Sequence, residues 1–147
     1  MTLVRPILEY ASCVWDSCGS GLRSEIEMIQ RRAARFVMND YGRYSSVDDM
    51  LSKIGWKPLE IRRKESRLCL LYKMYNGEIR EDVSGIICQP CYMGRSDHPK
   101  KIRRIQSRLL PYHQSFFPRT IRDWNNLPRG VMGARTLGEF KEMLLNN

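Results

Sequence analysis

Apolar residues recur at helical spacing through most of the chain. The clearest case is Glu25 to Tyr41, where Ile26, Ile29, Ala33, Phe36 and Val37 fall in one arc at 100° per residue, while Arg31, Arg32 and Arg35 cluster on the opposite side. Ser24 stands where an N-cap hydroxyl would accept an orphan amide, and Glu25 and Glu27 suit the positive end of the helix dipole. Upstream, Leu3, Ile7, Tyr10, Ala11 and Val14 form a shorter stripe that predicts one helix from Leu3 to Trp15, with Pro6 near its start and Trp15 buried near its end. Cys18-Gly-Ser-Gly21 and Tyr41-Gly-Arg43 read as turns.

Further on, Ser45 and Ser46 offer N-caps to a short helix carrying Val47, Met50, Leu51 and Ile54, with Gly55 as its stop. Lys57-Pro58 restarts the chain. A helix then runs to Asn76-Gly77, with Ile61, Leu68, Leu71, Tyr72 and Tyr75 inward, while Arg63 and Arg67 point away to make a second basic face. Residues 78–114 are irregular, punctuated by Gly85, Pro90, Gly94 and Pro99, and suggest an extended arm, or a two-stranded ribbon pairing with Ser115 to Phe117. Pro118 suits the first position of a helix over Arg119 to Leu127 that turns Ile121 and Trp124 inward before Pro128 ends it. Thr136-Leu-Gly-Glu139 is a capping box, followed by Phe140, Met143 and Leu144 set against Leu137.

The expected fold is mainly α: a small helical bundle with a basic extended arm or short β-hairpin near residues 100–117. Three regions follow, a helical domain at 1–77, an irregular basic arm at 78–114, and a C-terminal helical segment at 115–147 that packs on the first. A chain of 147 residues with 42% hydrophobic residues fits one domain with a real core, or one compact domain plus a poorly ordered appendage.

Charge sharpens this outline. The net formal charge is +9, and it is uneven: residues 1–82 hold fourteen Lys/Arg against twelve Asp/Glu, whereas residues 83–147 hold eleven against four. Six of the basic residues, Arg95, Lys100, Lys101, Arg103, Arg104 and Arg108, fall within fourteen positions that contain one acid, Asp97. A polyanionic partner is implied, RNA or DNA first and an anionic membrane surface second. Such an arm is either a phosphate-tracking device or a loose loop. No apolar run approaches a membrane span, and an odd count of five cysteines without a signal peptide points to free thiols in an intracellular protein of the nucleus or cytoplasm.

Catalytic chemistry finds little support. Cys88-Gln-Pro-Cys91 with His98, and His113 or Cys69 as a fourth group, is the one metal-like constellation, and its spacing departs from that of small zinc modules. Asp48 and Asp49, adjacent at a helix start, suit dipole complementation better than acid/base work. There is no Gly-rich phosphate loop, no Gly-x-Ser-x-Gly, and no cofactor is called for. Phe116, Phe117 and Trp124, interleaved with Arg119 and Arg122, could stack bases, but large aromatics at a helix entry are expected to pack inward.

Arg5-Pro-Ile-Leu-Glu-Tyr-Ala-Ser with Val14-Trp-Asp16, Ile29-Gln-Arg-Arg-Ala-Ala-Arg-Phe-Val, Tyr44-Ser-Ser-Val, Gly55-Trp56, Leu71-Tyr-Lys, and above all Ser115-Phe-Phe-Pro-Arg-Thr-Ile-Arg-Asp-Trp-Asn-Asn-Leu-Pro occur in this order. Together they resemble the C-terminal end of reverse transcriptases from non-LTR retrotransposons of the jockey type. The resemblance spans nearly the whole chain and is thinnest from Ile79 to Leu110, and Cys13 stands where the family usually has proline. It implies an RNA-directed DNA polymerase whose fingers, palm and thumb lie upstream, with this region following the thumb. The family's Tyr-x-Asp-Asp metal-binding motif is absent from the sequence. A non-catalytic piece is therefore expected, in which Arg31, Arg32, Arg35, Arg63, Arg67, the Arg95 to Arg108 arm, Arg119 and Arg122 contact phosphates of template RNA or target DNA. The alternative is a structural remnant that docks on the polymerase thumb or mediates protein interaction, its arginines being solvated surface.

Overall fold

A computed structural model describes residues 4–16, 19–80, 82–106 and 108–145, with the side chains of Val4, Arg5, Leu8, Trp15 and Ser20 outside that description. The protein is mainly helical and the described residues contain no strand. The chain divides into two compact units, residues 1–63 and 64–147. That division differs from the sequence-based one, because the long helix over Leu59–Tyr75 contributes its first turn to one unit and the remainder to the other.

In the first unit the predicted opening helix is two short ones, α1 (Val4–Glu9) and α2 (Ser12–Trp15), separated by Ala11 in the left-handed region at φ 49°. A left-handed alanine costs roughly 1–2 kcal/mol. The break turns Ser12 and Asp16 inward and leaves Ile7, Tyr10 and Val14 exposed, the reverse of the predicted stripe. The expected burial of Trp15, like the place of Leu3 and Cys18, lies outside the described residues.

Helix α3 (Ser20–Met38) starts earlier than predicted, from an N-cap at Gly19, so Ser24 is interior and does not cap. It ends at Asn39 in the left-handed conformation. Its inner face is also not the apolar one. Gln30 and Ala34 are buried, whereas Ile29, Phe36 and Val37 are exposed. Polar bonds set this rotation: Gln30 Nε2 donates to the Lys57 carbonyl at 3.0 Å, and Glu27 Oε2 accepts the Leu59 amide at 3.1 Å. Leu59 N–H is one of the orphan amides at the start of α5 (Leu59–Tyr75), so Glu27 caps that helix from a distance.

Helix α4 (Val47–Ile54) follows the sequence closely. The Ser46 hydroxyl accepts from the Asp49 amide, Val47, Met50 and Leu51 are buried against Ala34, and Gly55 ends the helix at φ 70°, a conformation that costs glycine nothing.

The second unit has the larger core, formed by Leu68, Leu71 and Tyr72 of α5 with Ile102, Ile121, Trp124, Met132 and Phe140. Tyr72 stacks on Phe140 with centroids 4.6 Å apart, and its hydroxyl donates to the Ala134 carbonyl. The helices here are α6 (Leu110–His113), α7 (Phe116–Asn125), α8 (Arg129–Met132) and α9 (Leu137–Leu145). Phe116 and Phe117 open α7 rather than pairing in a ribbon, so Pro118 is its third residue. The capping box at α9 forms in part: the Glu139 amide donates to Thr136 Oγ1, while the Glu139 carboxylate reaches back to the Arg135 amide.

Residues 98–103 are irregular but tied down to α7. Asn125 accepts from the Ile102 amide at 2.9 Å and donates to the Ile102 carbonyl at 2.7 Å, so one side chain pairs with that residue as a neighbouring strand would. Trp124 Nε1 donates to the Lys100 carbonyl at 2.7 Å, and His98 Nε2 lies 3.1 Å from the Trp124 carbonyl. Arg129 adds bonds to the carbonyls of Asp97 and Arg95. This stretch is therefore a coil bonded along its length to its own unit, where the sequence suggests a free arm.

Candidate nucleic-acid interface

The arginines fall into two groups that sequence spacing does not separate. Arg63, Arg67 and Arg119 are buried. Arg63 Nε bonds Asp16 Oδ1 at 2.8 Å, with both side chains almost sealed from water, and Arg67 Nη2 meets Asp123 Oδ2 at 3.0 Å. The second basic face expected on α5 is thus absent: Arg63 and Arg67 serve as internal counter-charges, and Arg119 also lies inside. A buried guanidinium facing a carboxylate cannot reach a phosphate without breaking a costly pair. Asp16 and Asp123 are what the sequence reading missed. Each is a lone acid beside a tryptophan, and that adjacency is the signal that could have found them.

On α3 the three arginines of the expected basic face are also divided. Arg31 pairs with Asp48 at 3.1 Å, and Arg35 donates to the Gly42 carbonyl, where Asp40 organises the turn by accepting from the Gly42 amide and the Ser45 hydroxyl. Those two bonds, the Ser45 one first, hold the Asp40 carboxyl below its usual value. Arg32 is exposed, with no ion pair among the described residues. An open cleft in this unit, about 260 Å³ and lined by Arg23, Glu27, Arg31, Asp48, Glu60 and Arg63, carries mixed and largely paired charge.

The second unit concentrates the uncompensated charge. It holds fifteen Lys/Arg against eight Asp/Glu, and several of those acids are occupied internally. Asp123 faces Arg67, Glu139 caps α9, and Asp97 takes both Lys101 Nζ and the Gly94 amide, which lower its pKa in that order. Lys100 is half-buried, with Nζ 5.7 Å from the Tyr72 ring centroid. Of the residues expected to contact phosphates, Arg95, Arg103, Arg104, Arg108 and Arg122 remain outward, all exposed and without an ion pair among the described residues. Arg103 and Arg104 line an open cleft of about 360 Å³ with Gly85, Ile86, Ile105, Gln106 and Tyr112. No acid lines it. The Arg103 amide donates to the Cys88 carbonyl at 2.7 Å, which fixes the backbone from which these side chains project.

Guanidinium groups beside a half-exposed phenol ring can neutralise phosphates and stack a base. The proposed metal ligands do not converge. Cys88 Sγ donates to the Ser84 carbonyl, His98 faces the Trp124 carbonyl, and no cluster of three His, Cys, Asp or Glu suited to a metal occurs among the described residues. No described helix is long and apolar enough to cross a membrane. Compared with known proteins, the chain matches no family model, no curated protein and no solved structure.

Proposed function

We propose that this chain is the non-catalytic region following the thumb of a jockey-type non-LTR reverse transcriptase, an RNA-directed DNA polymerase, and that its 64–147 unit helps hold template RNA or target DNA. The reading rests on the ordered sequence motifs and on one structural observation: Arg103 and Arg104 line a cleft with Tyr112 that has no acid among the described residues, and they and the exposed Arg108 beyond them have no ion pair among those residues. Under this reading the contacts are made to phosphates and position a strand without reading its sequence. Partners are RNA or DNA and the upstream polymerase domains, in the nucleus or cytoplasm. The longest motif, residues 115–128, supports the reading indirectly: Asp123, Trp124 and Asn125 spend their polar groups holding α5 and the 98–103 coil in place, so the motif serves as scaffold for the basic surface.

Binding of labelled single-stranded RNA and duplex DNA, measured by anisotropy over a salt series, tests it. Affinity falls steeply and log-linearly with salt, by a slope of about −0.9 per phosphate neutralised on duplex DNA. Absence of binding at low salt overturns the reading. A second reading, docking on the polymerase thumb, is favoured by Ile7, Tyr10 and Val14, exposed by 74 to 81% on α1, α2 and the turn between them. Uptake of an apolar dye by the isolated chain, abolished by charged substitutions at Ile7 and Val14, supports that reading.

A further inference from the structure

The apolar face of α3 that the fold leaves outside has a regular arrangement. Leu22, Ile29 and Phe36 repeat every seven residues, and Ile26 and Ala33 lie between them, which is a two-heptad coiled-coil seam. Leu22, Ile29 and Phe36 are 54%, 43% and 75% exposed, and Val37 beside them is 42% exposed. This seam lies roughly a third of a turn round the helix from the inner face at Gln30 and Ala34. One flank therefore borders the unit's own body. The other carries two exposed charges seven residues apart, Glu25 and Arg32, neither with an ion pair among the described residues.

That flank decides what can cover the seam. In an antiparallel pair of identical helices centred on Ile29, Leu22 of one copy lies opposite Phe36 of the other, and Ile29 lies opposite itself. The same register sets Glu25 of each copy beside Arg32 of its mate, so the two flanking charges neutralise each other twice. A parallel pair would instead set Glu25 near Gln30 and Arg32 near Val37, with no charge match. The unit also needs more burial than it has. Its apolar cluster is Ala34, Val47, Met50 and Leu51, while twelve of the nineteen exposed large hydrophobics among the described residues lie in 1–63. Small units with thin cores are commonly completed by association.

We infer that the outer face of α3 is a homodimer interface, an antiparallel helix pair of two copies of this chain joined by the Leu22, Ile29, Phe36 seam and reciprocal Glu25 to Arg32 ion pairs. The seam is about 22 Å long at the helical rise, so the dimer is weak, with dissociation in the micromolar range. The inference is independent of nucleic-acid binding and involves the other unit.

Sedimentation equilibrium of the full chain across the micromolar range tests it, with circular dichroism confirming that each variant keeps its helicity. The wild type passes from monomer to twice that mass as concentration rises, and Phe36→Glu stays monomeric. Glu25→Arg and Arg32→Glu each weaken self-association about tenfold, since each places like charges at both ends of the pair. Mixing those two variants restores association, because every charge then meets its opposite across the heterodimer, and the double variant E25R/R32E self-associates as the wild type does. A monomer at all concentrations overturns the inference. So does a wild-type dimer whose two single-charge variants fail to rescue each other on mixing.

Discussion

Arg67 and Asp123, 56 residues apart in sequence, meet at 3.0 Å with the guanidinium 2% and the carboxylate 18% exposed. The contact joins α5 to α7 inside the second unit. It also removes from the surface an arginine and an acid that the sequence alone would count as solvated.

Loss of this pair is asymmetric. Asp123→Ala strips a buried guanidinium of this carboxylate and lowers stability by about 3–5 kcal/mol. Arg67→Met keeps the volume, removes the charge, and leaves a carboxylate that water can partly reach, so it costs less. Urea midpoints of the two variants check the order, and equal midpoints would show that the pair is not the constraint described.

Helix positions were readable where one face alone is apolar and the caps agree with it. For α4, Ser46, the buried Val47, Met50 and Leu51, and Gly55 all point to one structure. In α3 the signals conflict: the apolar arc is real, yet Gln30 and Glu27 each satisfy a backbone group of the chain at 57–59 and turn a different face inward. The α5 arginines were misplaced for a related reason. Helical spacing assigns a charged residue to the water side by default, and only a distant acid such as Asp16 or Asp123 makes burial tolerable. Of the basic surface, Arg103, Arg104 and Arg108 were legible as a charge run, but the fixed 98–103 backbone that carries Arg103 was not, since the side chains that hold it are Trp124 and Asn125 more than twenty residues away.

Asn125 gives a sharper test of that backbone. Asn125→Ala loses both bonds to Ile102, at a cost of about 1–3 kcal/mol for the groups left unsatisfied. Asn125→Asp can still accept from the Ile102 amide but cannot donate to its carbonyl, so it fails to rescue. Hydrogen exchange at Ile102 reports the result directly: faster exchange in the Ala variant is expected, and unchanged protection would mean the coil is held by something else.

Protonation of His98 is a third lever. Burial, chiefly, holds its imidazole below the usual 6.5, the bond to the Trp124 carbonyl opposing this, and Nδ1 is buried without a hydrogen-bond partner among the described residues. The unfolded chain takes up the proton more readily than the folded one. The contribution to stability is therefore complete above about pH 6.5 and is lost as pH falls toward the lower folded value. His98→Gln keeps a donor toward the Trp124 carbonyl and removes the titration. Its urea midpoint changes less than that of the wild type between neutral and mildly acid pH, and parallel curves for the two proteins would exclude His98 as the source.

The most direct test of the account compares salt slopes. Arg103→Ala, Arg104→Ala and Arg108→Ala combined are expected to leave the melting midpoint unchanged, because all three side chains are exposed and without an ion pair among the described residues, and to lower the slope of log affinity for RNA or DNA against log salt by about 2–3. A triple variant that binds with the wild-type slope would contradict the assignment of nucleic-acid contacts to this surface.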